Sequence, residues 1–204
     1  RKATTIKSII NDINFFNENL VNERINIRMA LGMVGVSASR NEVIEASEPI
    51  VNGALFFSVG LLCLFLFRSI TISFAILVPL VLVTIWCNAL MVFLGIGVKM
   101  NTLPVIALGV AVGVDYGIYL FERMRYLMRS EGLSLELSYI ESLRQRGSAS
   151  IFTACVTSVA VFSWYFSDLK FQQDMGILLG FMFIFNLLGA IILAPVLIKL
   201  FEAY

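Results

Sequence analysis

No histidine occurs anywhere in these 204 residues. That removes serine–histidine and cysteine–histidine catalysis, and every histidine-ligated metal site. Charge is scarce too. Only 14% of the residues are charged and 59% are hydrophobic, with a mean hydropathy of +0.89, where soluble domains carry about 25% charged residues. A water-soluble chain of this size has too little interior to hide that much apolar surface. The three cysteines, Cys63, Cys87 and Cys155, stand far apart in apolar stretches, form no CxxC and imply no disulfide framework. A net charge of +1 gives no footprint for nucleic acid. No glycine-rich phosphate loop, metal cluster or nucleophile–base pair is present, so an enzymatic reading has no footing and no cofactor is called for. The chain starts at Arg1 without a signal-peptide pattern and reads as a piece that begins inside a longer protein.

What is present falls into two parts. Residues 1–48 are polar, with six Lys/Arg and six Asp/Glu, and read as part of a water-facing domain. Apolar positions 6, 9, 10, 13, 16 and 20 have helical spacing. Ile25 to Val36 alternates, which suggests a strand or two, and Asn41 to Ser47 reads as a helix start. Residues 49–204 are dominated by apolar runs, and about 20 apolar residues suffice for a helix to cross a bilayer. Five runs qualify: 50–67, 74–98, 103–121, 148–166 and 175–201. Between the third and fourth, Leu133, Leu137, Ile140 and Leu143 predict an amphipathic helix over about 133–145, lying at the membrane surface. Pro79 and Pro195 fall inside runs and predict kinks.

Basic residues in short loops give the orientation. One side holds Arg68, Arg123, Arg125, Arg129, Arg144, Arg146 and Lys199; the other holds Lys99 and Lys170. The first side is assigned to the cytoplasm, which puts residues 1–48 outside it.

The third run carries the chemistry. Gly109, Gly113 and Gly117 recur every four residues and form a strip where another helix backbone can approach closely. Asp115 is the single acidic residue inside any run. It lies twelve residues from Leu103, about 18 Å along the axis, deep in hydrocarbon. A central Asp costs roughly 2.5–3.5 kcal/mol on insertion scales. Low-dielectric surroundings favour the neutral carboxyl, so a group at this depth can take up and release a proton. An ion or proton pathway is the first reading of such a residue; the other is a buried Asp satisfied by hydroxyls. Two positions from Gly113 is about 200° of rotation, so Asp115 points away from the glycine strip. Tyr116 sets a phenol beside it. Ser150, Thr153, Ala154, Thr157 and Ser158 form a small, polar stripe on the fourth run. They read either as close packing with hydroxyls bonded to preceding carbonyls, or as relay support (Thr153, Thr157 and Ser158) opposite Asp115. Thr84, Asn88 and Asn186 are weaker candidates of the same kind.

These residues resemble the C-terminal half of transporters of the resistance–nodulation–division superfamily, of the MMPL or hydrophobe-exporter type. Gly32-Met-Val-Gly35-Val-Ser-Ala-Ser-Arg-Asn41-Glu42-Val43-Ile44 resembles the end of a periplasmic porter domain. Phe67-Arg68-Ser69 with Pro79 resembles a tight cytoplasmic turn and the next span. Gly109-Val-Ala-Val-Gly113-Val-Asp115-Tyr116-Gly117-Ile-Tyr119-Leu resembles the Asp-Tyr signature of the proton-relay helix. Gly-Leu-Ser at 132–134 also fits.

The resemblance implies an all-α polytopic membrane bundle: five helices of one half, similar to a sterol-sensing domain, preceded by the tail of an α+β porter domain in residues 1–48. It implies that Asp115 and Tyr116 belong to a relay powered by the proton gradient, with a matching pair in an N-terminal half outside this chain. The implied partners are that half, a hydrophobic or lipid substrate, membrane lipids and further copies of the chain. The implied location is the inner membrane. The same five-helix unit also occurs in lipid-sensing domains that do not pump, and a related bundle occurs in accessory proteins of protein export.

Overall fold

The computed structural model describes residues 33–96 and 103–202, together with Ser8, Asp12 and Phe15. Two compact units are distinguished, Arg1–Pro49 and Ile50–Tyr204. In the first, Ser8, Asp12 and Phe15 are helical; the other positions of the helix expected over 6–20 lie outside the described residues. The strand expected over Ile25 to Val36 is corrected where it can be seen: Met33–Val36 is the start of helix α1 (Met33–Phe67), and 25–32 lie outside the described residues. No strand occurs among the described residues, so the α+β character expected for the porter tail is not displayed. Four residues are too few to distinguish the two periodicities. Pro49 lies within α1 rather than at its start.

Every regular element described in the second unit is helical. After the end of α1 come α2 (Ile70–Phe93), α3 (Leu103–Ser130), α4 (Leu135–Ser142), α5 (Ser148–Phe162), α6 (Lys170–Leu188) and α7 (Ala194–Glu202). A π turn, Leu143–Gly147, joins α4 to α5, and another, Gly189–Leu193, joins α6 to α7. Five segments are long and apolar enough to span a membrane: Ala46–Phe67, Ile70–Phe93, Pro104–Ser130, Leu135–Phe166 and Lys170–Phe201.

Local chemistry sets the ends. Arg68 turns the chain in the left-handed region, at φ 49°, and Ser69 takes the extended N-cap conformation, so α2 begins at Ile70. It stops in a Schellman turn. Gly95 adopts φ 67°, its N–H donates to the Val92 carbonyl at 3.1 Å, and the Ile96 N–H donates to Met91 at 2.9 Å. The second span therefore sits about four residues earlier than the apolar run suggested. α3 continues nine residues past Phe121 and carries Arg123, Arg125 and Arg129 on its extension.

The helix expected over 133–145 starts at Leu135, where the Ser134 hydroxyl caps the Leu137 N–H at 3.4 Å. It runs through the π turn into the fourth span without a break. Its two sides differ in size and polarity. Ser138 and Ser142 are buried, while Leu137 and Ile140 are exposed. Serine is small enough to let α4 settle closely on α3, and the apolar side chains are left for lipid.

α3 and α6 form the centre of this unit. α6 packs on α2, α3 and α5; α3 packs on α2, α4 and α6. The core gathers Ile76, Leu80 and Val83 from α2, Val105, Val110 and Phe121 from α3, and Leu178, Leu179 and Met182 from α6. Lipid tails are as apolar as these side chains, so close van der Waals fit, rather than exclusion from water, holds the helices together.

Candidate functional site

The glycine strip of α3 faces inward. A Cβ on Gly113 would lie 2.5 Å from Asn186 Nδ2 and 2.8 Å from Leu80 Cδ2. On Gly117 it would meet Ile76 at 3.1 Å, and on Gly109 it would strike the Met182 side chain. The strip thus admits α6 on one side and α2 on the other. Asn186 is buried and donates from Nδ2 to the Gly109 carbonyl at 2.8 Å, tying α6 to α3. Of the weaker polar candidates it alone makes an interhelical bond among the described residues. Thr84 donates to Leu80 in its own helix at 2.9 Å, and Asn88 is partly exposed.

Asp115 is turned the other way. It is exposed, on a stripe of α3 that also exposes Leu108, Ala111 and Tyr119. No described residue forms an ion pair or hydrogen bond with it. Tyr116 is its buried neighbour, 4% exposed, packed with Ala154 of α5 and with Leu187 and Ala190. Its hydroxyl lies within electrostatic reach of Thr157 and Asp115, yet meets no partner in hydrogen-bond geometry. The two members of the Asp-Tyr pair therefore occupy different environments.

The hydroxyl stripe of α5 is divided. Thr153 donates to Ala149 at 3.0 Å and Thr157 to Thr153 at 2.7 Å, so both are spent on their own helix. Ser158 is buried and its hydroxyl has no partner among the described residues. Thr153 is exposed and Thr157 half-buried.

One buried charge was placed in a loop by the sequence reading. Asp174 lies inside α6, 4% exposed, with Lys170 Nζ 2.9 Å from Oδ1. The contact is electrostatic rather than an aligned hydrogen bond. The i, i+4 spacing of Lys170 and Asp174 was the available signal; it went unread because the helix begins at Lys170 rather than at Met175. No cluster of three or more metal-ligating side chains occurs among the described residues.

A helical bundle with five membrane-length apolar segments defines a multi-pass membrane protein. More specifically, the chain belongs to the MMPL family, a transporter family of the resistance–nodulation–division superfamily, whose model matches residues 23–202. It is similar to a membrane protein of Methanocaldococcus jannaschii, 23% identical over 176 residues, covering 86% of this chain and 45% of that protein. It is also similar to membrane protein YdfJ of Bacillus subtilis, 27% identical over 93 residues, covering 46% of this chain and 13% of that protein. The chain thus matches less than half the length of each of these curated relatives.

Proposed function

We propose that this chain is the C-terminal half of an exporter that moves hydrophobic or amphiphilic molecules across the inner membrane at the expense of the proton gradient. In this reading residues 1–48 are the end of an extracytoplasmic porter domain, 49–204 are the membrane domain, and Asp115 with Tyr116 is this half's share of the relay.

One observation carries the reading: Asp115 sits mid-helix, on an open face, without a partner among the described residues. A carboxylate facing lipid at that depth is strongly disfavoured. A polar surface supplied by the other half of the transporter relieves that cost and makes a path for protons. Protonation removes the charge and its demand for polar partners, which lets the two halves repack. Release on the other side restores it. One charge crossing 100 mV is worth about 2.3 kcal/mol, enough to bias a two-state element by roughly 50-fold. Tyr116, buried next to Asp115 with a free hydroxyl, serves as a donor to whichever carboxylate or water arrives. Of the hydroxyl stripe, Thr157 lies within reach of Tyr116 and keeps its acceptor lone pairs while donating to its own helix, and Ser158 is buried with a free hydroxyl.

The test is substrate efflux by the full-length protein carrying Asp115→Asn, at matched membrane expression, with and without a protonophore. The relay predicts that the variant is inactive and that wild-type export stops when the gradient collapses. Normal export by the variant makes Asp115 a packing residue of a scaffold or lipid-sensing bundle.

A further inference from the structure

At the basic end of the bundle, the turn between α1 and α2, the extension of α3 and the end of α7 enclose a recess of about 320 Å³. Arg68 enters it from the turn, Arg125 and Arg129 from α3. Ile72, Met128 and Phe201 give it apolar walls. No carboxylate lines it, and none of the three arginines forms an ion pair with a described residue. Arg125 is held by a long hydrogen bond, Nη1 to the Leu66 carbonyl at 3.4 Å, which leaves most of its donors unused.

A second feature of the same recess has the same sign. Ser69 and Thr71, which open the 24-residue helix α2, also line it, and the Ser69 side chain makes no capping bond. The first N–H groups of a helix have no intrahelical acceptor and carry the positive end of the helix dipole. Three guanidinium groups without an ion pair among the described residues and a helix start without a side-chain cap thus converge on one small volume whose walls are apolar. Basic loops are ordinary on one side of a membrane protein. A recess that joins them to a helix start and to an apolar wall at the membrane edge has a more particular fit.

We infer that this recess binds the phosphate of an anionic phospholipid from the leaflet on the basic side of the bundle. Guanidinium groups take phosphate oxygens through paired N–H donors, the helix start adds backbone donors, and the acyl chains lie along Ile72, Met128 and Phe201. A soluble phosphate has no use for those walls, which is why a lipid is the assigned occupant. Basic pockets between membrane helices recognise lipid head groups in this way.

The experiment uses the full-length protein in mixed micelles and counts retained lipid by native mass spectrometry, comparing phosphatidylglycerol with phosphatidylcholine. The wild type is expected to prefer phosphatidylglycerol. Arg125→Gln with Arg129→Gln is expected to lower that preference roughly thirtyfold, given the contribution of each basic residue near anionic lipid. Arg68 stays in place to help hold the orientation. Arg125→Lys with Arg129→Lys keeps all the charge and is expected to lose part of the preference, because it loses the planar fork. The inference is overturned if the wild type shows no preference, or if the glutamine variant keeps it in full. Should the glutamine variant not fold, full retention by the lysine variant overturns it. Displacement of phosphatidylglycerol by millimolar inorganic phosphate overturns it as well, assigning the recess to a soluble anion. Asp115→Asn is expected to retain the lipid preference, so this result and the transport result stand apart.

Discussion

A single carboxylate in an otherwise uncharged span was visible without any structure, because insertion cost depends on residue type and depth alone. Its surroundings were not. That Asp115 is exposed while Tyr116 is buried follows from how α3 is rotated against α2, α4 and α6. The threonines make the same point. Their spacing put them on one stripe, but whether a hydroxyl turns to its own carbonyl or to a neighbour is a rotamer choice, and Thr153 and Thr157 both turned back. Asp174 was overlooked, and here a charge pair can be tested. Lys170 has a side chain 77% exposed and Asp174 one only 6% exposed. Lys170→Met leaves an uncompensated buried charge, whereas Asp174→Asn removes the charge itself. Thermal melting of the full-length protein should therefore show a larger drop for Lys170→Met than for Asp174→Asn.

Helices in this bundle meet where side chains are missing. Gly176 of α6 is closed in by backbone. A Cβ there would stand 2.5 Å from the Val161 carbonyl oxygen and 2.9 Å from Trp164 Cβ. Backbone cannot step aside, so Gly176→Ala should cost about 1–3 kcal/mol. Gly109→Ala should cost less, since its neighbour is the flexible Met182 side chain. Unfolding in mixed micelles under increasing SDS ranks the two. Prolines act at the same scale. Pro79 lies inside α2 without ending it. Pro195 follows the π turn Gly189–Leu193. Lacking an N–H, it cannot serve Ile191 four residues back, and the Tyr139 hydroxyl donates to that carbonyl instead, at 2.8 Å. A phenol on α4 thus replaces a missing backbone donor. Tyr139→Phe should cost about 0.5–1.5 kcal/mol in the same assay.

At the scale of the whole molecule, charge asymmetry sets which way it faces. Six arginines, Arg68, Arg123, Arg125, Arg129, Arg144 and Arg146, stand in the connections and helix extensions assigned to one side. The asymmetry predicts that this side is cytoplasmic. With a membrane-impermeant thiol reagent on intact cells, Asp168→Cys should be labelled, and Arg144→Cys only after permeabilisation. The reverse pattern would invert the orientation and with it the direction of proton entry in the proposed relay. The open stripe of α3 belongs to this scale too. Leu108, Ala111 and Tyr119 flank Asp115 on it.

The sequence by itself determined that the chain lives in a membrane, that five apolar runs are long enough to cross it, and that Asp115 is the one acidic residue inside those runs. Those properties depend on composition, on segment length and on transfer free energies that add along the chain. The tertiary structure decided which way each helix turns and which distant residues meet. It brought Asn186 to Gly109, 77 positions away, and collected Arg68, Arg125 and Arg129 around one recess. The reason is physical. In a soluble helix the apolar stripe marks the inward face. Membrane helices are apolar on nearly every side, so that mark is missing. Their rotation is set by close packing at small residues and by a few polar contacts, which form between elements far apart in the chain.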